Sequence, residues 1–355
     1  MPTLHSPLTF GRLTLPNRIL MAPLTRTRAG MTHVPNDLMV EYYSQRADAG
    51  LIFTECTMVA GDASAFIGEG GIFNAETQAG WKRVTDAVHA KGGRIAMQIW
   101  HPGRAAHSAN NADAQSISST TRAIRNDVIH TIKGKLPYEA PRALRTDEIP
   151  GIVAQFRQAA IRADAAGFDA IQIHGAHGYL IDQFLRDYPN DRTDAYGGSL
   201  ENRARLLLEV VDAVSSVVGA DRVGVRISPL VPFNDMSDSN PAALVKYVAQ
   251  QLDQRKIGHL EMRHDQHDRP EEIELAKIAR QYYHGALLLN GGFTRESGEA
   301  AIASGLGDAI VYGKAFLANP ELVQRFESTA PLNEVDFKTL YTPGAKGYTD
   351  YPALD

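Results

Sequence analysis

A single cysteine, Cys56, stands in 355 residues, so no internal disulfide can form and the chain is expected to work in a reducing compartment, the cytoplasm by default. No apolar stretch approaches the ~20 residues that cross a bilayer. The opening residues, MPTLHSPLTFGRL, lack the basic patch and apolar run of a signal peptide. Basic blocks are missing as well: 36 Lys and Arg are scattered among 41 Asp and Glu, a net charge of −5, which argues against a nucleic-acid surface. No Gly-x-Gly-x-x-Gly follows an apolar run and no Walker loop is present, so neither a Rossmann-bound dinucleotide nor a P-loop nucleotide is indicated. The expected partners are small molecules, with no nucleic acid and no membrane, and a monomer and a homodimer are equally compatible with the composition.

What is present is a repeated alternation. Eight short apolar runs recur, at Ile19 to Ala22, Leu51 to Cys56, Arg94 to Ile99, Phe168 to His174, Arg222 to Ile227, His259 to Met262, Ala286 to Leu289 and Asp308 to Tyr312. Each is followed by glycine or polar punctuation and then by a segment of helical period. Strands alternating with helices pair in parallel, and eight of them close into an α/β TIM (β/α)8 barrel. Ile149, Ile152, Val153, Phe156 and Ala160 trace one helix face before the fourth strand, and Ala204, Leu207, Leu208, Val211 and Val214 trace another after it. Asn240-Pro241 and Asn319-Pro320 predict helix starts, with a capping side chain ahead of a proline. The stretch from His101 to Thr146 is too long for an ordinary connection. It reads as an insertion between strands three and four, an excursion (101–146) over the barrel mouth within one domain spanning 1–355.

Strand ends of such a barrel share the face where chemistry is done. The fourth strand runs out at His174 and turns through Gly175 and Gly178 toward a helix near Tyr179, gathering His174, His177 and Tyr179 at one mouth. A lone His is more often structural than catalytic, and His-x-x-His is also half a metal site, so a metal-dependent barrel lyase or hydrolase using His174 and His177, perhaps with His101 and Glu55, stands as an alternative. A zinc-protease pattern fits poorly, since the spacing is not His-Glu-x-x-His and no carboxylate stands between the two histidines. Gln98 and Trp100 share a face of strand three, and Arg226 ends strand five, where a cation is costly unless it meets an anion. Asn290-Gly291-Gly292 and Gly313-Lys314 end strands seven and eight, the usual place of a barrel phosphate cradle. Phosphate at one edge, amide and cation in the middle and histidines opposite suit a flat phosphorylated cofactor, flavin mononucleotide.

NRILMAPLTR (17–26), AMQIWHPGR (96–104), HGAHGYLIDQFL (174–185), NDRTDAYGGSLENRARLLLEVVDAV (190–214) and GYTDYPAL (347–354) together resemble the old yellow enzyme family of flavin-dependent ene-reductases, in its bacterial enone and nitroester reductase-like branch. The resemblance implies non-covalent, tightly bound FMN, reduced by NADPH or NADH in ping-pong fashion. By it, Thr25 would bond the flavin C4 carbonyl, Gln98 the pyrimidine edge and Arg226 the N1 and O2 side. Backbone around Pro23, Leu24 and Cys56 would meet the ring, and Gly291, Gly292, Gly313 and Lys314 the phosphate. His174 and His177 would hold a substrate oxygen and Tyr179 would donate a proton, with Trp100, Phe233, Tyr341 and Phe66 lining the pocket. Enones, maleimides, nitro compounds or nitrate esters are the implied substrates. Lys314 departs from an expected arginine, Phe66 from a frequent tyrosine and Cys56 from a smaller residue, and the polar loop 262–268 lacks an expected aromatic.

Overall fold

The computed structural model describes residues 1–354. Eight parallel strands close on themselves: β1 (Ile19–Met21), β2 (Ile52–Phe53), β3 (Ile95–Trp100), β4 (Ala170–Gly175), β5 (Val223–Ile227), β6 (His259–Arg263), β7 (Ala286–Asn290) and β8 (Ala309–Tyr312). Neighbours in space are neighbours in sequence, β8 pairs with β1, and the chain is a TIM barrel. Strands buried on both faces carry near-continuous apolar runs, because helices cover them outside. The helix Ile149–Ala165 buries Ile149, Ile152, Phe156 and Ala160, and Leu200–Val218 buries Ala204, Leu207, Val211 and Val214.

Inside the barrel lies a second, smaller core of Leu20, Leu51, Phe53, Ala96, Ala170, Leu288 and Val311. Its floor is a hairpin ahead of β1, Leu8–Phe10 paired antiparallel with Leu13–Leu15. Phe10 is 1% exposed and reaches up to the His259 ring, centroids 4.7 Å apart. That ring fills the axis so fully that a Cβ at Gly224, one strand over, would lie 2.0 Å from it. The hairpin therefore stops the barrel at its N-terminal end and leaves the other end open.

Two local expectations change. The second apolar run, Leu51 to Cys56, is not one strand: β2 ends at Phe53, and a separate pair of residues, Thr57–Met58, resumes beside β3. Hydroxyls replace the ladder in between, since Thr54 Oγ1 accepts from the Gln98 amide at 3.0 Å and Thr57 Oγ1 donates to the Glu55 carbonyl at 2.9 Å. Asn240 caps Pro241–Gln254 as its sequence implies, but Asn319-Pro320 starts no helix. The next helix is Leu322–Ser328, and Asn319 instead donates to the Ala315 carbonyl and accepts from the Asn333 amide at 2.7 Å, tying down the tail.

The excursion has structure of its own: a hairpin, Val128–Thr131 with Gly134–Pro137, and a parallel pair, Ile117–Ser118 with Arg142–Ala143. It lies over the mouth, packing Ile124 and Tyr138 against Cys56, Trp100 and Tyr179. The C-terminal tail covers the opposite rim. Arg26 donates to the carbonyls of Leu340 and Gly347, and Arg28 to those of Thr339, Leu340 and Lys346. Phe10→Ala removes the floor plug; deletion of a buried ring of this kind costs ~3–5 kcal/mol, so the urea midpoint is expected to fall accordingly, with the slope of unfolding unchanged.

Candidate functional site

The His-x-x-His turn is built by backbone constraint. His177 sits at φ 56° and Gly178 at φ 72°, two consecutive left-handed residues that reverse the chain between β4 and the short helix Leu180–Leu185. A non-glycine residue there is held by its surroundings. The His177 amide donates to Ser228 Oγ at 2.8 Å, its carbonyl accepts from Asn234 Nδ2 at 2.8 Å, and the Gly178 amide donates to Asp182 Oδ2 at 2.8 Å. Asp182 is ion-paired with Arg186 at 3.0 Å, both almost wholly buried, and Arg186 continues to the Val231 carbonyl and Ser228. Gln183 closes the cage from the other side, donating to the carbonyls of Gly178 and Pro102. A Cβ at Gly178 would stand 2.6 Å from Met236 and 2.7 Å from Asn234, so only glycine fits.

This cage presents an aromatic cluster. The His174 and His177 rings lie 5.6 Å apart, and Tyr179 meets His174 at 5.0 Å and Trp100 at 4.5 Å, edge to face. The Ala176 amide donates to His174 Nδ1, which puts the ring proton on Nε2 and makes that nitrogen the donor. Burial, reinforced by Arg226, holds both imidazoles well below their ordinary pKa, so they are neutral at pH 7. Burial pushes the Tyr179 phenol well up, so it keeps its proton. Phe66 faces Trp100 at 6.1 Å and stacks near Tyr341 at 6.2 Å, while Phe233 meets His177 at 6.3 Å. Phe233 and Tyr341 are half exposed or more and form the rim. Thr25 Oγ1 and Cys56 Sγ touch at 2.9 Å, and burial keeps Cys56 a thiol.

The floor of the mouth is a polar chain that crosses the barrel. Strand register puts His174, Arg226 and Glu261 at one level on β4, β5 and β6. Gln98 Nε2 donates to Gln172 Oε1 at 2.7 Å, Gln172 Nε2 donates to Glu261 Oε2 at 2.8 Å, and Arg226 Nη2 donates to Asn290 Oδ1 at 3.1 Å. Between them Arg226 Nε and Glu261 Oε1 lie 3.2 Å apart but misaligned, and neither has a hydrogen-bond partner. The anion that a buried Arg226 demands is thus supplied in part by Glu261, a residue the sequence reading passed over. Its signal was there: His259, Glu261 and Arg263 alternate on a barrel strand and so face inward together.

Beside this floor opens a cavity of about 900 Å³, lined by Pro23, Leu24, His177, Arg226, Arg263, Asn290, Gly291, Gly292, Gly313 and Lys314 among others. That volume suits a cofactor, for which clefts of ~300–1,000 Å³ are usual. Gly291 has φ 139° and a Cβ there would meet the His264 carbonyl at 2.5 Å; at Gly292, φ 82°, the nearest atom to a Cβ would be His267 Nδ1 at 3.9 Å. Lys314 is exposed at the same end. Glycine backbone, a cation and an orphaned Arg226 Nε fit a flat, phosphorylated group. Thr25, Cys56 and Gln98 do not line this cavity; they abut the aromatic cluster and the floor chain. Among the described residues no three His, Cys, Asp or Glu side chains converge as a metal set, and His101 and Glu55 do not join the histidine pair. Glu55, raised to about 7 by burial, turns instead to the Arg26 amide.

Asp182→Asn leaves Arg186 buried without its counter-charge; breaking such a pair typically costs ~3–5 kcal/mol, measurable by denaturant unfolding. Because the folded His174 and His177 pKa values lie below the unfolded value of about 6.5, the unfolded chain takes up protons first, so their contribution to stability is lost as pH falls below about 6.5. For the same reason the affinity for any non-ionisable ligand that hydrogen-bonds to these rings is expected to be flat between about pH 6 and pH 9; an inflection near 6.5 in a binding titration would show a charged imidazole.

A family model described as NADH:flavin oxidoreductase / NADH oxidase matches residues 3–333. A probable flavin mononucleotide-dependent alkene reductase of Leishmania infantum is 45% identical, covering 98% of this chain and 96% of that protein. 12-Oxophytodienoate reductase 7 of Oryza sativa subsp. japonica is 46% identical over 99% of this chain and 94% of its own length. Among solved structures, morphinone reductase in complex with tetrahydroNAD superimposes with a TM-score of 0.96 at 43% identity, covering 100% of this chain and 98% of that one. The old yellow enzyme homologue of Zymomonas mobilis gives 0.96 at 41%, covering 99% and 100%. No helix among the described residues is long and apolar enough to cross a membrane. With this barrel, this histidine turn and these relatives, the chain belongs to the NADH:flavin oxidoreductase family of old yellow enzymes, as an FMN-dependent NAD(P)H oxidoreductase of the ene-reductase type.

Proposed function

We propose that the cup reduces the activated C=C bond of α,β-unsaturated carbonyl or nitro compounds, maleimides included, that it takes nitrate esters as alternative hydride acceptors at the nitro group, and that His174, His177 and Tyr179 are its catalytic residues. The observation that carries this is the pairing of two neutral imidazoles, His174 buried and His177 half-buried, with a protonated phenol at one open barrel mouth. FMN, when bound, supplies the hydride after taking it from NADPH or NADH. Gly291, Gly292, Gly313 and Lys314 would hold its phosphate, Arg226 and Gln98 its polar edge, and Pro23, Leu24, Thr25 and Cys56 its ring.

His174 Nε2 and the His177 ring donate to the carbonyl or nitro oxygen. They bind it more tightly as negative charge gathers there, which lowers the barrier rather than merely the ground state. Neutral donors suit this task, because they release the product oxygen without a charge to separate. Tyr179 delivers its proton to the carbon next to the activating group, and its loss of a proton in a dry site is tolerable only as the transfer completes. Trp100 braces the phenol ring edge to face. Trp100, Phe66, Phe233 and Tyr341 exclude water and set the shape accepted. A morphinone reductase in complex with tetrahydroNAD supports a nicotinamide entering the same cup, so reductant and acceptor take turns.

The test is direct. Purified protein is expected to be yellow, to bleach anaerobically with NADPH or NADH and to regain colour with 2-cyclohexenone, with parallel double-reciprocal lines. The double variant His174→Ala, His177→Ala is expected to keep its flavin but lose the long-wavelength band that phenols induce. Retention of that band would remove the histidines from the oxygen-binding role.

A further inference from the structure

Four arginines line the cavity, and the protein treats them differently. Arg295 pairs with Glu296, and Arg325 donates to the carbonyls of Pro331 and Pro352. Arg226 has Glu261 and Asn290. Arg263, the last residue of β6 and level with Asn290 on β7, has neither a hydrogen bond nor an ion pair among the described residues, and its Nη1 is sealed from solvent without a partner. Every carboxylate near it is committed elsewhere. Asp265 pairs with Arg269 at 3.0 Å; Glu272 takes His264 Nδ1 at 2.6 Å and the Asp265 amide at 2.7 Å; Glu261 accepts from Gln172 and faces Arg226. A guanidinium group with a buried, unpaired nitrogen is costly unless an anion completes it. The space in front of it is lined by Gly291, Gly292 and Lys314.

We propose that Arg263 is a phosphate-binding residue of this cup, closing on an oxyanion of a phosphorylated ligand: the 5′-phosphate of FMN or the phosphates of the nicotinamide dinucleotide. The assignment rests on the cofactor reading above and adds to it a subsite on strand six, apart from the glycines and lysine of strands seven and eight. Its chemistry complements Lys314. A lysine offers a mobile point charge, whereas the planar fork of an arginine can hold two oxygens of one phosphate at once and so fix its orientation. Asp265, exposed and already paired, flanks the subsite without neutralising it.

The experiment compares ligands with and without phosphate on the full-length wild type, Arg263→Gln and Arg263→Lys. Flavin-free full-length chain is titrated with FMN and with riboflavin. Holoprotein is reduced under anaerobic conditions with NADH and with N-benzyl-1,4-dihydronicotinamide, which carries no phosphate. The ratio of riboflavin to FMN dissociation constants is expected to fall at least tenfold in R263Q if the flavin phosphate is the ligand. The corresponding ratio of half-saturating reductant concentrations falls if the dinucleotide is the ligand. R263K is expected to recover part of whichever ratio is lost. Taking ratios within one variant cancels any general damage to the cup. If neither ratio moves, or if phosphate-bearing and phosphate-free ligands weaken equally, the subsite is overturned. A wild type that binds riboflavin as tightly as FMN overturns the glycine and lysine cradle together with the flavin arm, and the nicotinamide arm then decides on its own.

Discussion

The site depends on a backbone reversal that the chain would not adopt unaided. His177 occupies the left-handed region without being glycine or asparagine, and it does so because its amide, its carbonyl and the next amide are each taken by a buried side chain: Ser228, Asn234 and Asp182. Asp182 in turn is fixed by Arg186, whose Nη2 also reaches Ser228 and Val231. Strands four and five are thereby locked together at their ends. The buried ion pair serves orientation more than net stability, since its desolvation offsets much of its attraction.

The same economy governs the floor. Gln98, Gln172, Glu261, Arg226 and Asn290 form a chain from strand three to strand seven, so a cation sits under the cup with part of its field already answered. The imidazoles above feel burial and this cation together and stay neutral. Acid and base behaviour at the mouth is therefore set first by burial and then, from below, by the charge of Arg226.

Much of this was legible in the sequence because a barrel converts strand position directly into placement. The eight apolar runs, the inward parity of Gln98, Gln172 and His174, and the glycines after strands seven and eight all follow from period two and closure. What escaped had local rather than periodic causes. The break in the second run arises from the hydroxyls of Thr54 and Thr57, which look like ordinary strand residues. Asn319 resembles a helix cap and is a tail clamp, because a partner fourteen positions on, Asn333, competes for it. Arg226 implies an anion from its position alone, and part of that anion is Glu261 on the neighbouring strand, at the same level of the barrel. Arg263 was equally visible, and only the commitment of each nearby acid makes it distinctive.

The tail over the rim has an evolutionary corollary. Arg26 and Arg28 grip it through main-chain oxygens of residues 339 to 347, and Thr27 likewise bonds the carbonyl of Tyr341. A segment anchored mainly by its peptide groups constrains few of the exposed side chains it carries, although Gly347 is fixed, since a Cβ there would lie 1.7 Å from Thr339 Oγ1. Residues of this flap that look into the entrance are consequently open to drift, and a lineage could retune which molecules it admits by editing a few terminal codons while the redox machinery beneath stays untouched.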